Sequence, residues 1–216
     1  MATPIGNLAD LSRRAEQILS SVDFILAEDT RVSLKLLNHL GIKKPMHSYV
    51  EFSSQQKEDK IVATLKSGMS YALVSDAGTP AISDPGAKIV DAALKQGVDV
   101  VPIPGASAVT TLLSVFGRPV ESFHFWGFFP QKKIKQTKLM AHFINMSGVH
   151  IFFESPFRIL KTMALLKDHP QFYLVVGREM TKKFETFYRG MVSEVALAVE
   201  SDDHRGEFCV GVLNGI

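Results

Sequence analysis

Two rhythms of apolar residues alternate along the chain. Short apolar runs at residues 24–27, 71–75 and 98–102 read as strands. Between them, apolar residues recur at three- and four-residue spacing. Leu11, Ala15, Ile18 and Leu19 mark a helix over 10–20, and Leu34, Leu37 and Leu40 a second, capped by Thr30 and stopped at Gly41. Ser53 with Gln56 predicts a capping box for a helix carrying Ile61, Val62 and Leu65 and closed by Gly68. A weaker strand is expected at 46–50, and helices at 87–96 and 106–116. Asp84 followed by Pro85 reads as an N-cap with proline at the first helical position.

Gly117-Arg118-Pro119 breaks the pattern, and a domain boundary is expected there. Beyond it, strands are predicted at 123–129, 149–153, 172–177, 184–189 and 207–213, with helices at 135–147, 156–168 and 192–200. The alternation predicts an α/β protein of two domains. Residues 1–118 would hold a mostly parallel sheet with flanking helices, and residues 119–216 a mixed α/β sheet domain.

Composition narrows the function classes. At about 150 residues per domain, 216 residues sit between one and two domains. A chain that is 46% hydrophobic and 21% charged is not a disordered one. The net charge of +2 is too small to declare a nucleic-acid binder, so any basic surface has to be local. Cys209 is the single cysteine, which excludes an internal disulfide and a multi-cysteine metal site. The seven histidines lack ligand spacing, so no metal is expected. With no run near the roughly 18 apolar residues of a membrane helix and no leader-like start, a cytoplasmic protein is expected.

No dinucleotide fingerprint, P-loop, nucleophile elbow or zinc-protease motif occurs. The chemistry must lie in the loops that follow strands. In Ser75-Asp76-Ala77-Gly78-Thr79-Pro80, Gly78 lets backbone approach a ligand, and Asp76 offers a carboxylate at a strand tip. The turns Ala2-Thr3-Pro4-Ile5-Gly6-Asn7 and Pro102-Ile103-Pro104-Gly105-Ala106-Ser107 are each common connections when taken alone. Glu28 and Asp29 beside Arg31 suit either a cap with an ion pair or an acceptor site. Lys132, Lys133, Lys135 and Lys138 follow Trp126-Gly127-Phe128-Phe129, a pattern that serves phosphate contact and stacking as well as a solvated loop.

Read in order, these segments look familiar. They run from Ala2-Thr3-Pro4-Ile5-Gly6-Asn7-Leu8 through Ala27-Glu28-Asp29-Thr30-Arg31 and Leu36-Leu37-Asn38-His39 to Val74-Ser75-Asp76-Ala77-Gly78-Thr79-Pro80 and Ile82-Ser83-Asp84-Pro85-Gly86. Pro102-Ile103-Pro104-Gly105, Phe153-Glu154-Ser155-Pro156, Arg178-Glu179-Met180-Thr181-Lys182 and Arg205-Gly206-Glu207 follow. The chain thereby resembles the 16S ribosomal RNA 2′-O-methyltransferase branch of the tetrapyrrole (corrin/porphyrin) methylase superfamily.

The resemblance implies S-adenosylmethionine held in a two-domain protein, a homodimer, and methyl transfer to a cytidine ribose in 16S rRNA of the small ribosomal subunit. It implies cofactor contacts from Pro4, Asp76, Ala77, Gly78, Thr79, Pro80, Ile82, Pro104, Gly105 and Ser107, completed by Glu154 and Ser155. Glu28 or Asp29 would act as general base, unless water does. Arg31, Lys132, Lys133, Lys135 and Arg158 would meet RNA. A small tetrapyrrole acceptor, or a non-catalytic RNA- or ribosome-binding relative, is the alternative. The chain departs from the family pattern at three places. Met1 directly precedes Ala2, which predicts a shortened first strand; Ala81 stands at a usual glycine; Phe157 stands at a usual histidine.

Overall fold

A computed structural model describes residues 1–215 and divides the chain into two compact units, Met1–Ser107 and the residues from Ala108 onward. In the first unit, β1 (Phe24–Ala27) lies between β2 (Met46–Ser48) and β3 (Tyr71–Val74), and both pairings are parallel. Strand alternation gives the sheet two buried faces. Ile25, Ala27, Ala72 and Val74 pack with Leu19 of α1 (Arg13–Ser21) and with Leu36 and Leu37 of α2 (Thr30–His39). Leu26 faces the other way, toward Tyr49, toward Ile61 and Val62 of α3 (Gln55–Lys66), and toward Ile89 of α4 (Ala87–Lys95). A strand covered on both sides needs apolar residues at every position, and Phe-Ile-Leu-Ala supplies them.

The second unit holds five strands in the order β4-β5-β8-β6-β7. These are β4 (Phe123–Phe128), β5 (Val149–Glu154), β6 (Phe172–Arg178), β7 (Thr186–Met191) and β8 (Phe208–Asn214). Only β4 and β5 pair in parallel; the other pairings are antiparallel, so the sheet is mixed as expected. One face packs Phe152, Leu174, Val210 and Val212 against α6 (Lys133–Asn145), α7 (Ile159–Leu166) and α8 (Val192–Ser201). On the opposite face, α5 (Ala108–Ser114) and Phe116 lie against the centre of β8. A Cβ at Gly211 would stand 2.8 Å from the Phe116 ring, so glycine is needed there for close approach.

Several local expectations change. Residues 98–102 join no strand ladder; the segment is held through the Ile103 carbonyl, which accepts from the Ala2 amide at 3.1 Å. The boundary expected after Arg118 falls between Ser107 and Ala108, because α5 packs on β8 and β6. The first helix starts at Arg13, where the Ser12 hydroxyl accepts from the Ala15 amide; a short 3₁₀ turn, Leu8–Asp10, precedes it. Asp29, not Thr30, caps α2. Ser53 makes no capping box, since its hydroxyl accepts from the Val50 amide. Gly86, with φ of 143°, occupies the N-cap position of α4, so Asp84 is freed from the capping role predicted for it.

Candidate active site

The parallel register Ala27↔Val74 sets the ends of β1 and β3 side by side. Glu28-Asp29 and Ser75-Asp76 therefore leave the sheet at the same edge, and the Asp29 amide donates to Asp76 Oδ1 at 3.0 Å. This is the carboxyl end of the strands, where open α/β sheets bind ligands.

The loop after β3 is tied to the start of the chain. Thr3 and Gly78 exchange backbone hydrogen bonds of 2.8 and 3.1 Å, and the buried Thr3 hydroxyl donates to the Ser75 carbonyl. The Ala2 amide reaches Ile103, Gly105 packs so close that its Cβ would lie 3.0 Å from that of Ala2, and the Thr79 hydroxyl donates to the Ala106 carbonyl at 3.3 Å. The three turns that the sequence left as separate connections thus form one assembly. Pro4, Asp76–Pro80 and the 104–107 turn are brought together, with Asp76, Ala77, Pro104 and Gly105 exposed at its surface. Gly78 needs its freedom, having a φ of +81° with the Ile5 side chain at contact distance from where a Cβ would stand.

The carboxylates beside this assembly differ in state. Asp29 accepts from its own Arg31 amide at 2.8 Å and grips the Arg31 guanidinium through both oxygens, with contacts down to 2.6 Å. Those hydrogen bonds hold its carboxyl down at about 2. Among the described residues no salt bridge engages Glu28. Burial, followed by the charges of Asp76 and Asp29, raises its carboxyl above the ordinary value. Asp84 goes further, pushed up to about 6 by burial and then by the charges of Glu28 and Asp76, against an opposing hydrogen bond from Ser75.

Glu28 and Asp84 face a cavity of about 590 Å³ that Glu51, Phe52, Ala81 and Ser83 also line. No lysine or arginine lines it, and Phe52 stands at its lip 91% exposed. The loop between β3 and α4 reaches this wall through left-handed backbone at Ala81 (φ 67°) and Ser83 (φ 65°). At Ala81 this conformation costs an L-residue about 1 kcal/mol or more, and a glycine would adopt it freely. Sequence reasoning gave Asp84 to a cap and did not single out Phe52 or Glu51. Only the folded loop brings them to Glu28.

The candidates from the second unit have other partners. Glu154 is buried, 2% exposed, and accepts from the Ser155 amide at 2.8 Å and the Thr162 hydroxyl at 2.6 Å. It also pairs with Arg158 at 2.6 Å, while Arg158 donates to the Phe129 carbonyl and the Ser155 hydroxyl. Arg158 is thereby built into the start of α7. Glu179, Lys182 and Glu207 form a similar set, with Lys182 bridging the two glutamates at 2.9 and 2.8 Å, while Arg178 pairs with Asp203 at 3.4 Å. Lys132, Lys133 and Lys135 are exposed at the first turn of α6, where the positive end of the helix repels them; Ile134 between them is 75% exposed. Among the described residues no group of His, Cys, Asp and Glu is placed to hold a metal ion, and no helix is long and apolar enough to cross a membrane.

The sequence pattern described as Tetrapyrrole (Corrin/Porphyrin) Methylases matches residues 2–196. The chain is 46% identical over 210 residues to a Neisseria meningitidis protein named ribosomal RNA small subunit methyltransferase I, covering 96% of this chain and 72% of that one. A Thermotoga maritima protein of the same name is 42% identical over 219 residues, covering all of this chain and 96% of its relative. Among solved structures, uroporphyrin-III C-methyl transferase from Thermus thermophilus complexed with S-adenyl homocysteine aligns with a TM-score of 0.63. That alignment covers 98% of this chain and 94% of the other at 15% identity, a likeness of fold.

Proposed function

Because the chain belongs to the tetrapyrrole (corrin/porphyrin) methylase family, we propose that it transfers a methyl group from S-adenosylmethionine to small-subunit ribosomal RNA, at the 2′-hydroxyl of a cytidine. The observation that carries this reading is the convergence, within one unit, of the Pro4, Asp76–Pro80 and Pro104–Ser107 turns beside a cavity holding Glu28 and Asp84. The donor chemistry fits the cofactor: exposed peptide groups and a carboxylate suit a ribose diol, an ammonium and a sulfonium. Asp76 spends Oδ1 on the Asp29 amide, which leaves Oδ2 for a ligand. Ile82, exposed, offers an apolar edge.

When bound, S-adenosylmethionine supplies a methyl group on a sulfonium sulfur. The chain's own task is alignment and proton management. The acceptor hydroxyl becomes a competent nucleophile as its proton leaves, and Glu28 is positioned to take that proton as the O–C bond forms and the C–S bond breaks. Its raised carboxyl makes it a better base than Asp29, whose oxygens are committed to Arg31. Asp29 instead caps α2 and holds the edge of the site. Lys132, Lys133 and Lys135 gather charge at a helix end that disfavours it, a cost that an RNA phosphate would relieve. We read the active form as a homodimer acting in the bacterial cytoplasm, checked by sedimentation of the purified protein.

The test titrates the protein with S-adenosylmethionine by calorimetry, then supplies tritiated cofactor and small ribosomal subunits lacking the modification. Saturable binding and label in a cytidine ribose are expected. Binding with no label in RNA would transfer the reading to a tetrapyrrole acceptor, and no binding would transfer it to a non-catalytic relative.

A further inference from the structure

Helix α2 runs from the acidic cavity to a second concavity of opposite character. At its far end a groove of about 390 Å³ is lined by Leu34, Leu37, Asn38, Ile42, Lys43 and Lys44, together with Pro45. Its floor is apolar and partly open, with Leu34 46% exposed, and Asn38 offers both a donor and an acceptor at its wall. Its charges are two lysines, and no carboxylate lines it. Arg31, Leu34, Lys35 and Asn38 recur at three- and four-residue spacing, so one face of α2 carries cations from the cavity to the groove. Among the described residues no salt bridge engages Lys35, Lys43 or Lys44. The carboxylate that feels Lys44 is that of Asp23, which is bound to the Ser70 amide and hydroxyl.

We propose that this groove binds a nucleotide flanking the methylated one, with its base on Leu34 and Ile42 and its phosphate on Lys43 and Lys44. The proposal rests on the ribosomal RNA reading above. The two concavities divide the work by charge. A cavity walled by Glu28, Glu51 and Asp84 repels phosphate and admits the uncharged part of a nucleoside, whereas the groove attracts phosphate and lacks any group that would repel it. Glu28 of the cavity lies just before α2, while the groove begins at Leu34 and continues past the end of that helix, whose ten residues measure about 15 Å along the axis, a length that a short single strand spans. A helix C-terminus favours cations, which accounts for lysine here but not for the exposed Leu34 beside half-buried Ile42 on the groove floor.

The test measures binding of a short oligocytidylate as a function of salt, for the wild type, a Lys43→Ala, Lys44→Ala double variant and a Leu34→Glu variant, all at exposed or partly exposed positions. The double variant is expected to lower the slope of log affinity against log salt by about 1.4, the release expected of two single-strand phosphate contacts. It should also raise KM for small subunits while leaving kcat and S-adenosylmethionine affinity in place. Leu34→Glu is expected to weaken oligonucleotide binding with the lysines intact. An unchanged slope and an unchanged KM in the double variant would overturn the proposal. The salt slope is read on the oligonucleotide without any methyl transfer, so a wild type that labels no RNA would sink the functional reading alone.

Discussion

The carboxylates of the two units are alike in kind and opposite in treatment. In the second unit Glu154 lies under Arg158 and Thr162, and Glu179 and Glu207 share Lys182. In the first, Glu28 and Asp84 line one cavity whose lining holds no lysine or arginine, and both carboxyls are raised first by burial, then by neighbouring carboxylates: Asp76 and Asp29 for Glu28, Glu28 and Asp76 for Asp84. Paired charges tie elements together. Unpaired charges held close store a cost that only a ligand or a proton removes, which is the mark of a working site. The difference separates the carboxylates of this chain into those paired within the scaffold and those left without a cation beside a cavity.

Substitutions sharpen that separation. Glu28→Gln is expected to lower kcat by about 10²- to 10⁴-fold with S-adenosylmethionine affinity retained, measured by single-turnover methyl transfer. Full activity would remove the proton acceptor from the mechanism. Glu154→Ala should act on stability instead, costing about 3–5 kcal/mol in urea unfolding because it strands the buried end of Arg158. A loss under 1 kcal/mol would return Glu154 from the scaffold to the ligand-facing group.

Asp84→Asn is expected to stabilise the protein at neutral pH. The folded carboxyl titrates near 6, above its ordinary 3.8, so the native state holds its proton more tightly than the unfolded chain. Its contribution is therefore fully present below about 3.8 and is lost as pH rises through about 6. Removing the charge should recover about 1 kcal/mol at neutral pH, after allowance for solvent screening at this half-buried group, and nothing near pH 4. Equal stability of the two proteins at both pH values would contradict the cavity's electrostatics. Asp29→Asn keeps a capping oxygen and is expected to change kcat only a few-fold, in contrast to Glu28→Gln. Smallest of all, Ala81→Gly relieves a left-handed backbone but adds unfolded-state freedom, for a net gain of about 0.5 kcal/mol in thermal unfolding.

Much of this was legible from local pattern. Period and breakers place most of the strands and helices within a few residues, and the apolar continuity of residues 24–27 against the more varied second half foretells a parallel and a mixed sheet. Residues 98–102 read as a strand but pair in no ladder, because an apolar run has the same letters whether it is buried in a sheet or, as with Val100 and Val101, left exposed. Caps were misassigned at Thr30, Ser53 and Asp84, since a serine or aspartate near a helix start has several amides within reach and only the turn geometry selects one.

The sequence alone determined the layered α/β plan, the family resemblance and the identity of the turns that converge, because each depends on short-range spacing. Which carboxylates meet was decided by tertiary structure. The register of β1 with β3 joins Asp29 to Asp76 across 47 positions, and the left-handed turns at Ala81 and Ser83 swing Asp84 back to Glu28. Charge state follows from such meetings: the Asp29 carboxyl is held down by Arg31 two residues away, whereas Glu28 is raised first by its burial and then by the charge of Asp76, 48 positions on, with Asp29 adding to it. Electrostatic coupling depends on distance through space, and distance through space is what folding, not adjacency in sequence, sets.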